Sequence, residues 1–251
     1  MRLIDFFFPP KCVSCGNTLK SAPKRIHEKG GDALCGECRA EWEKAKLEQC
    51  RFCRRPMMDC YCSSPLMRRK GNNVLIKLCA YAGEPKGTVK QIIFTLKRNA
   101  DRRAELFAAC QLHSPLSKYI SKYLGEDLYI TNVPRRFDAY SKYGYDHAEI
   151  LARNLSRISG IPYLPLIERV REGKEQKNLT VEQRCENIKD AFALTKEAEK
   201  VQGKCIILID DIVTTGASVN ECISVLKRAN PAAILPACIA QTTKTFKAEN
   251  D

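Results

Sequence analysis

Histidine is scarce in this chain. The three residues, His27, His113 and His147, keep no spacing that would join them to one another or to a base partner. Histidine-centred catalysis or metal binding therefore finds no support, and a structural role is expected for each. There is no run of eighteen apolar residues, and Leu3, Ile4, Phe6, Phe7 and Phe8 are too few for a signal peptide. Both absences argue against stable membrane insertion and for a soluble, cytoplasmic protein. A Gly-x4-Gly-Lys-Ser/Thr phosphate loop is also missing, which counts against a P-loop ATPase. Acids are in deficit: 29 Asp and Glu face 42 Lys and Arg, for a formal net charge of +13. Such a surplus favours anionic partners and says little about fold.

Cysteine, by contrast, is abundant. Eight of the 14 cysteines fall within the first 62 residues as close pairs: Cys12 with Cys15, Cys35 with Cys38, Cys50 with Cys53, and Cys60 with Cys62. Two-residue spacers let both sulfurs of a knuckle face one tetrahedral ion, and two knuckles close its shell, so two structural zinc ions are expected. The first four ligands are paired on one ion and the last four on another, although an interleaved arrangement would use the same residues. Two four-thiolate sites would bring the net charge to roughly +9. Disulfides are disfavoured in a chain without an export signal. Cys79, Cys110, Cys185, Cys205, Cys222 and Cys238 sit in apolar or helical contexts and read as ordinary thiols. The cysteine region is rich in Lys and Arg. Phe52 and Tyr61 among them could stack on unpaired bases while Arg54 and Arg55 hold phosphates, or could equally pack beside the metal.

The segment that organises the rest is Cys205 to Ser218. Five apolar residues, Cys205 to Ile209, predict a parallel strand covered on both faces. Asp210 and Asp211 follow at its carboxyl end, where ligands bind in open α/β sheets. Thr214, Thr215, Gly216, Ala217 and Ser218 then form a small polar loop opening a helix, whose amides and dipole suit a phosphate. Two acids beside a phosphate loop would recognise a ribose 5-phosphate.

Along the chain, a helix is predicted from Glu37 to Leu47, and Lys20 to Gly31 reads as a loop between knuckles. Arg68 to Asn73 marks the boundary, giving a cysteine module over 1–70 and an α/β domain over 71–251. Val74 to Ala80 alternates as a strand, Val89 to Leu96 follows helical spacing, and Ala104 to Cys110 and Leu116 to Leu124 read as two helices before a strand over Leu128 to Val133. Pro134, Arg135 and Arg136 offer a backbone turn and two guanidiniums to a second anion. Pro236 suggests that the last strand, Ala233 to Ile239, is an edge or is interrupted. Lys244 to Asp251 is expected to fray.

The stretch from Ile206 to Ser218 resembles the PRPP-binding motif of type I phosphoribosyltransferases position by position. The resemblance implies that Asp210 and Asp211 meet the ribose 2' and 3' hydroxyls as the catalytic acids, and that Thr214 to Ser218 hold the 5'-phosphate. By the same likeness Pro134, Arg135 and Arg136 form the pyrophosphate loop, magnesium accompanies PRPP, and Gln176, Arg184 and Asn187 belong to a mobile lid. Tyr143-Gly144-Tyr145-Asp146-His147, together with Arg169, Leu179 and Phe192 and the paired-cysteine N-terminus, extends the resemblance to the ComF family over nearly the whole chain. The family often has Arg before the Gly and Asn after the aromatic; here Tyr143 and Asp146 stand there, with Lys142 as a substitute cation. Membership implies a double zinc ribbon joined to a phosphoribosyltransferase-like parallel sheet flanked by helices. It also implies a part in single-stranded DNA uptake in natural transformation, with DNA and other uptake proteins as partners. The alternatives are a metabolic phosphoribosyltransferase acting on a nucleobase or related acceptor, and a non-catalytic PRPP-sensing module that binds nucleic acid.

Overall fold

The computed structural model describes residues 9–19, 33–81, 87–98, 101–123, 125, 127–137, 144–172 and 181–242, except for the side chains of residues 98, 123, 181, 182 and 184. Lys20 to Gly31, Lys142, Tyr143, Gln176, Leu179 and the tail from Lys244 lie outside the described residues, and only the backbone of Arg184 is described.

In chain order the elements are α1 (Gly36–Leu47), α2 (Pro65–Arg69), β1 (Ile76–Tyr81), α3 (Thr88–Arg98), α4 (Arg102–Tyr123), β2 (Leu128–Asn132), α5 (His147–Ser159), β3 (Ile167–Arg169), α6 (Val181–Ile188), β4 (Phe192–Leu194), β5 (Cys205–Val213), α7 (Ala217–Leu226) and β6 (Ala233–Thr242). Four strands form one parallel sheet in the order β1-β6-β5-β2, while β3 and β4 make a separate antiparallel ribbon. Helices cover both sides, as a parallel sheet requires. Ile207 and Ile209 of β5, with Leu235, Ala237 and Ile239 of β6, face a core built with α3, α4 and α5. Ile206, Leu208 and Cys238 face the other way, toward α7, α6 and the ribbon.

Three sequence expectations change. Where two helices were expected, Arg102–Tyr123 is one helix with Pro115 inside it. Strand β5 runs on to Val213, so both acids belong to its last residues. Strand β6 is internal, between β1 and β5, rather than an edge. It accommodates Pro236 because pairing with β1 begins only at Ala237 opposite Ile76, so the proline has a strand neighbour on one side alone.

The cysteine region lies against this sheet. Buried Cys12, Val13, Cys38 and Trp42 share one apolar cluster with β1, α3 and α4, and the Trp42 ring meets Phe107 at 5.5 Å. Trp42 Nε1 also donates to Gln111 Oε1 of α4 at 2.9 Å. A second, smaller cluster of Cys50, Met57 and Cys60 packs on Ala80 of β1. This covering explains why β1 is buried on both faces, Lys77 included, where its alternating sequence predicted one wet side. Tyr61 is half-buried and set edge-on to Tyr119 of α4 at 4.9 Å, so it packs beside the second group of cysteines rather than offering a free stacking face.

Candidate functional site

The carboxyl ends of β5 and β2 lie side by side, with Asn132 opposite Ile209. The amide of Val133 donates to the carbonyl of Ile209 at 2.9 Å, which sets the loop after β2 next to Asp210 and Asp211. The candidates Pro134, Arg135 and Arg136 thus follow a strand whose end adjoins the one that carries the acid pair.

Beyond the acids, Thr214 to Ser218 curl around a concavity of about 30 Å³ that Asp210 also lines. Gly216 makes the turn possible: it stands at the N-cap of α7 with φ 86°, in the left-handed region that favours glycine. Gly216 brings no capping side chain, while Thr215 Oγ1 accepts from the Ala217 amide at 3.3 Å; the positive dipole end of α7 faces the cradle. Thr215 and Ala217 are buried, whereas Thr214 is exposed.

The adjacent carboxylates differ in acidity. Burial pushes Asp210 well above the usual aspartate range, and the neighbouring Asp211 charge adds to the shift. Burial acts on Asp211 in the same sense, but the ammonium of Lys97, 3.0 Å from its Oδ2, outweighs it and holds that carboxyl below its ordinary value. Lys97 is raised in turn, since the attraction of Asp211 exceeds the cost of burying the amine. Asp211 is therefore the stronger acid of the pair and Asp210 the weaker.

Asp146 organises the second loop. Its Oδ1 accepts from the amides of Ala148 and Glu149 at 2.9 and 3.2 Å, capping α5. Its Oδ2 accepts from the amide of Arg135 at 2.8 Å. This residue fastens the loop after β2 from behind. Burial nonetheless raises its carboxyl. The Arg135 guanidinium donates to the Tyr145 carbonyl at 3.3 Å and to Nε2 of His147. Burial first, then the Arg135 charge, lowers the His147 imidazolium to about 4. The ring is thus neutral at pH 7 and accepts at Nε2. Arg136 Nε pairs with Glu172 at 3.2 Å. Of the lid candidates, Asn187 lies in α6, which packs on α7.

Sequence reasoning passed over Lys97 and took His147 as structural. Spacing carried no signal for either, because their partners come from distant strands and loops.

All eight N-terminal cysteines gather in two groups, Cys12, Cys15, Cys35 and Cys38, and Cys50, Cys53, Cys60 and Cys62, with sulfurs within 4.8 Å of one another in each. The grouping is sequential, not interleaved. Tetrahedral zinc with 2.3 Å bonds places sulfurs about 3.8 Å apart, and Cys15 and Cys35 stand at 3.7 Å; all fourteen cysteines are free of disulfides. Burial alone would raise the Cys12 thiol, but the amides of Cys15, Cys35 and Ser14 outweigh it and bring it to about 7. Cys50 is brought to about 7 in the same way by the amides of Cys53 and Phe52. Amides aimed at sulfur suit thiolates, so both donor sets could hold zinc. Among the described residues, no helix is long and apolar enough to cross a membrane.

Residues 141–250 match the phosphoribosyl transferase domain family. With the parallel sheet and helices on both faces, that match defines the class: a phosphoribosyltransferase-type domain preceded by two four-cysteine clusters. The chain is similar to ComFC of Streptococcus pneumoniae, 24% identical over 94% of this chain and 98% of that protein. It is 34% identical to competence protein F of Haemophilus influenzae over 34% of this chain and 38% of that one. Against the DNA utilization protein YhgH of Escherichia coli it is 31% identical over 45% and 49%, so the last two matches span less than half of each relative. These likenesses agree with a ComF-type arrangement, a phosphoribosyltransferase domain behind paired-cysteine clusters. Similar solved structures include a purine phosphoribosyltransferase from Pyrococcus horikoshii, with TM-score 0.31, 20% identity and coverage of 53% of this chain and 69% of that one. A phosphoribosylpyrophosphate synthetase from Mycobacterium smegmatis matches with TM-score 0.36 and 13% identity, over 70% and 57% of the two chains.

Proposed function

We propose that this protein binds PRPP with magnesium at the ends of β5 and β2 and takes part in handling single-stranded DNA during natural transformation. The observation that carries the first half is that the 214–218 loop, the acid pair and the loop after β2 all lie at the carboxyl ends of two paired strands. Thr214 to Ser218 receive the 5'-phosphate, Asp210 and Asp211 the ribose hydroxyls, and the loop from Pro134 to Arg136 the pyrophosphate. Magnesium bound with the ligand would screen the pyrophosphate charge, which suits its preference for hard oxygens. If transfer occurs, the acid pair stabilises positive charge developing at the anomeric carbon. The lid role of Gln176, Arg184 and Asn187 belongs to this reading too.

Support for the DNA role comes from the names of the relatives and from the cysteine module, which we place at residues 1–70 with structural zinc in both clusters. Exposed Arg51, Arg54 and Arg55 flank Phe52, which is 48% exposed with the Arg68 guanidinium 4.1 Å above its ring. The test is calorimetric titration of PRPP and magnesium into the protein and into Asp210→Asn/Asp211→Asn. Pyrophosphate release is followed against a panel of bases, and single-stranded DNA is titrated at several salt concentrations. We expect PRPP binding that the double variant loses, and DNA binding that weakens with salt. Release with one base at ordinary turnover would replace this reading by a metabolic transferase. Absence of wild-type PRPP binding would overturn it.

A further inference from the structure

The phosphate cradle does not stand alone. Its underside rests on the segment that leaves the second cysteine cluster. Ser64, two residues after Cys62, is fully buried, and its hydroxyl donates to the carbonyl of Thr215 at 2.6 Å while accepting from the Met67 amide at 3.2 Å. A Cβ on Gly216 would meet Met67 Cγ at 2.5 Å, Met67 Sδ at 2.8 Å and Ser64 Oγ at 2.8 Å. The glycine is thus needed for close approach as well as for its backbone angle. Nearby, Asn72 donates to Asn220 Oδ1 at 2.7 Å, and Asn220 donates to the Leu66 carbonyl at 3.3 Å. The start of α7 is therefore bonded to both ends of the turn made by α2.

The other end of this segment is equally fixed. Lys77 of β1, 1% exposed, donates to the carbonyls of Cys60 and Cys62 at 3.0 and 2.7 Å. With its amide oriented to satisfy both neighbours, Gln241 of β6 donates to the Cys62 carbonyl at 3.3 Å and accepts from the Ser64 amide at 2.9 Å. The chain from Cys60 to Met67 is a strut: one end belongs to a thiolate cluster and the other supports Thr215 and Gly216. Among the described residues the apolar cluster at this end is small, Cys50, Met57, Cys60 and Ala80 with Cys62 packed against it, so an ion on the four thiols would add to what these hydrogen bonds hold.

We propose that Ser64 is a positioning residue for the phosphate cradle, and that a metal ion on Cys50, Cys53, Cys60 and Cys62 sets ribose 5-phosphate affinity through it. The inference rests on reading the 214–218 loop as the 5'-phosphate site. The ion need not touch the ligand, because it fixes the turn that holds Ser64 against Thr215. Pyrophosphate binds on the other loop, which this strut does not reach, so the two ends of PRPP should respond differently.

The experiment is calorimetric titration of ribose 5-phosphate, and separately of pyrophosphate with magnesium, into wild type, Ser64→Ala and Cys53→Ser. Zinc content and hydrogen exchange of residues 213–220 are measured alongside. We expect Ser64→Ala to retain its zinc, to weaken ribose 5-phosphate by about tenfold and to leave pyrophosphate within twofold. Exchange of the 213–220 amides should speed up while β2 and β5 stay protected. Cys53→Ser should lose zinc and show the same selective weakening. If Cys53→Ser fails to fold, Ser64→Ala decides alone: equal weakening of both ligands, or of neither, overturns the proposal. Failure of wild type to bind ribose 5-phosphate overturns instead the assignment of the cradle.

Discussion

Asp210 and Asp211 are neighbours in sequence and opposites in electrostatics. Lys97 supplies the difference, since its ammonium reaches Asp211 and leaves Asp210 with burial and a like charge. An aspartate raised in the folded state binds more protons there than in the unfolded chain. Its effect on stability is therefore unfavourable and grows as pH rises from the usual aspartate range through its raised value. Asp211, depressed by Lys97, contributes in the opposite sense, and its stabilisation is lost only as pH falls through its lowered value. Asp210→Asn should thus melt higher than wild type at pH 8, with the difference shrinking toward pH 4, while PRPP binding is lost at both. Melting temperature against pH, with calorimetric titration at each end, checks it; a variant less stable at pH 8 would contradict the assignment. The acid pair was legible because a strand, two acids and a phosphate loop are contiguous. Lys97 was not, because it comes from a helix early in the chain and only the fold brings it to β5.

At the scale of elements, apolar runs announced β5 and β2 well, since a parallel strand is apolar on both faces. Prolines were less informative. Pro236 lies in an internal strand because β1 starts one residue later, and Pro115 lies within α4; neither accommodation is visible without neighbours. The loop after β2 shows the same dependence on context. Arg135 and Arg136 stood out as cations, but what shapes their loop is Asp146, which spends one oxygen on capping α5 and the other on the Arg135 amide. Asp146→Ala should cost about 1–2 kcal/mol from the lost cap alone, or roughly 2–8 °C in Tm for a domain of this size. It should weaken pyrophosphate more than ribose 5-phosphate, because the loop, not the cradle, loses its tether. Asp146→Asn should recover part of the cap, since asparagine also serves there. Thermal melts and paired titrations read both effects. Equal loss of the two ligands would mean that Asp146 supports the sheet end as a whole.

The whole molecule is less divisible than its sequence suggests. Paired cysteines, a basic stretch and then alternating strand residues read as a module followed by a domain. In the structure β1 is an edge strand of the sheet, and the module lies along it. Trp42 packs on α4, Met57 lies beside Ala80, and Lys77 turns inward to the carbonyls of Cys60 and Cys62. A chain begun at residue 71 would strip this cover. It would expose Leu75 and Ala80 to water and leave an ammonium beside the sheet without the acceptors it now has. It would also open a strand edge to pairing with other chains. The expected outcome is a fragment that aggregates or melts without a sharp transition, while the zinc-loaded full chain unfolds in one cooperative step. Calorimetry on the full chain, with light scattering on the fragment, provides the check. Two separate transitions, with a soluble and cooperative fragment, would show that the module and the sheet domain fold independently. Conversely, chelation should lower the melting temperature of the sheet as well as that of the module, because metal, strut and strand edge belong to one cooperative unit.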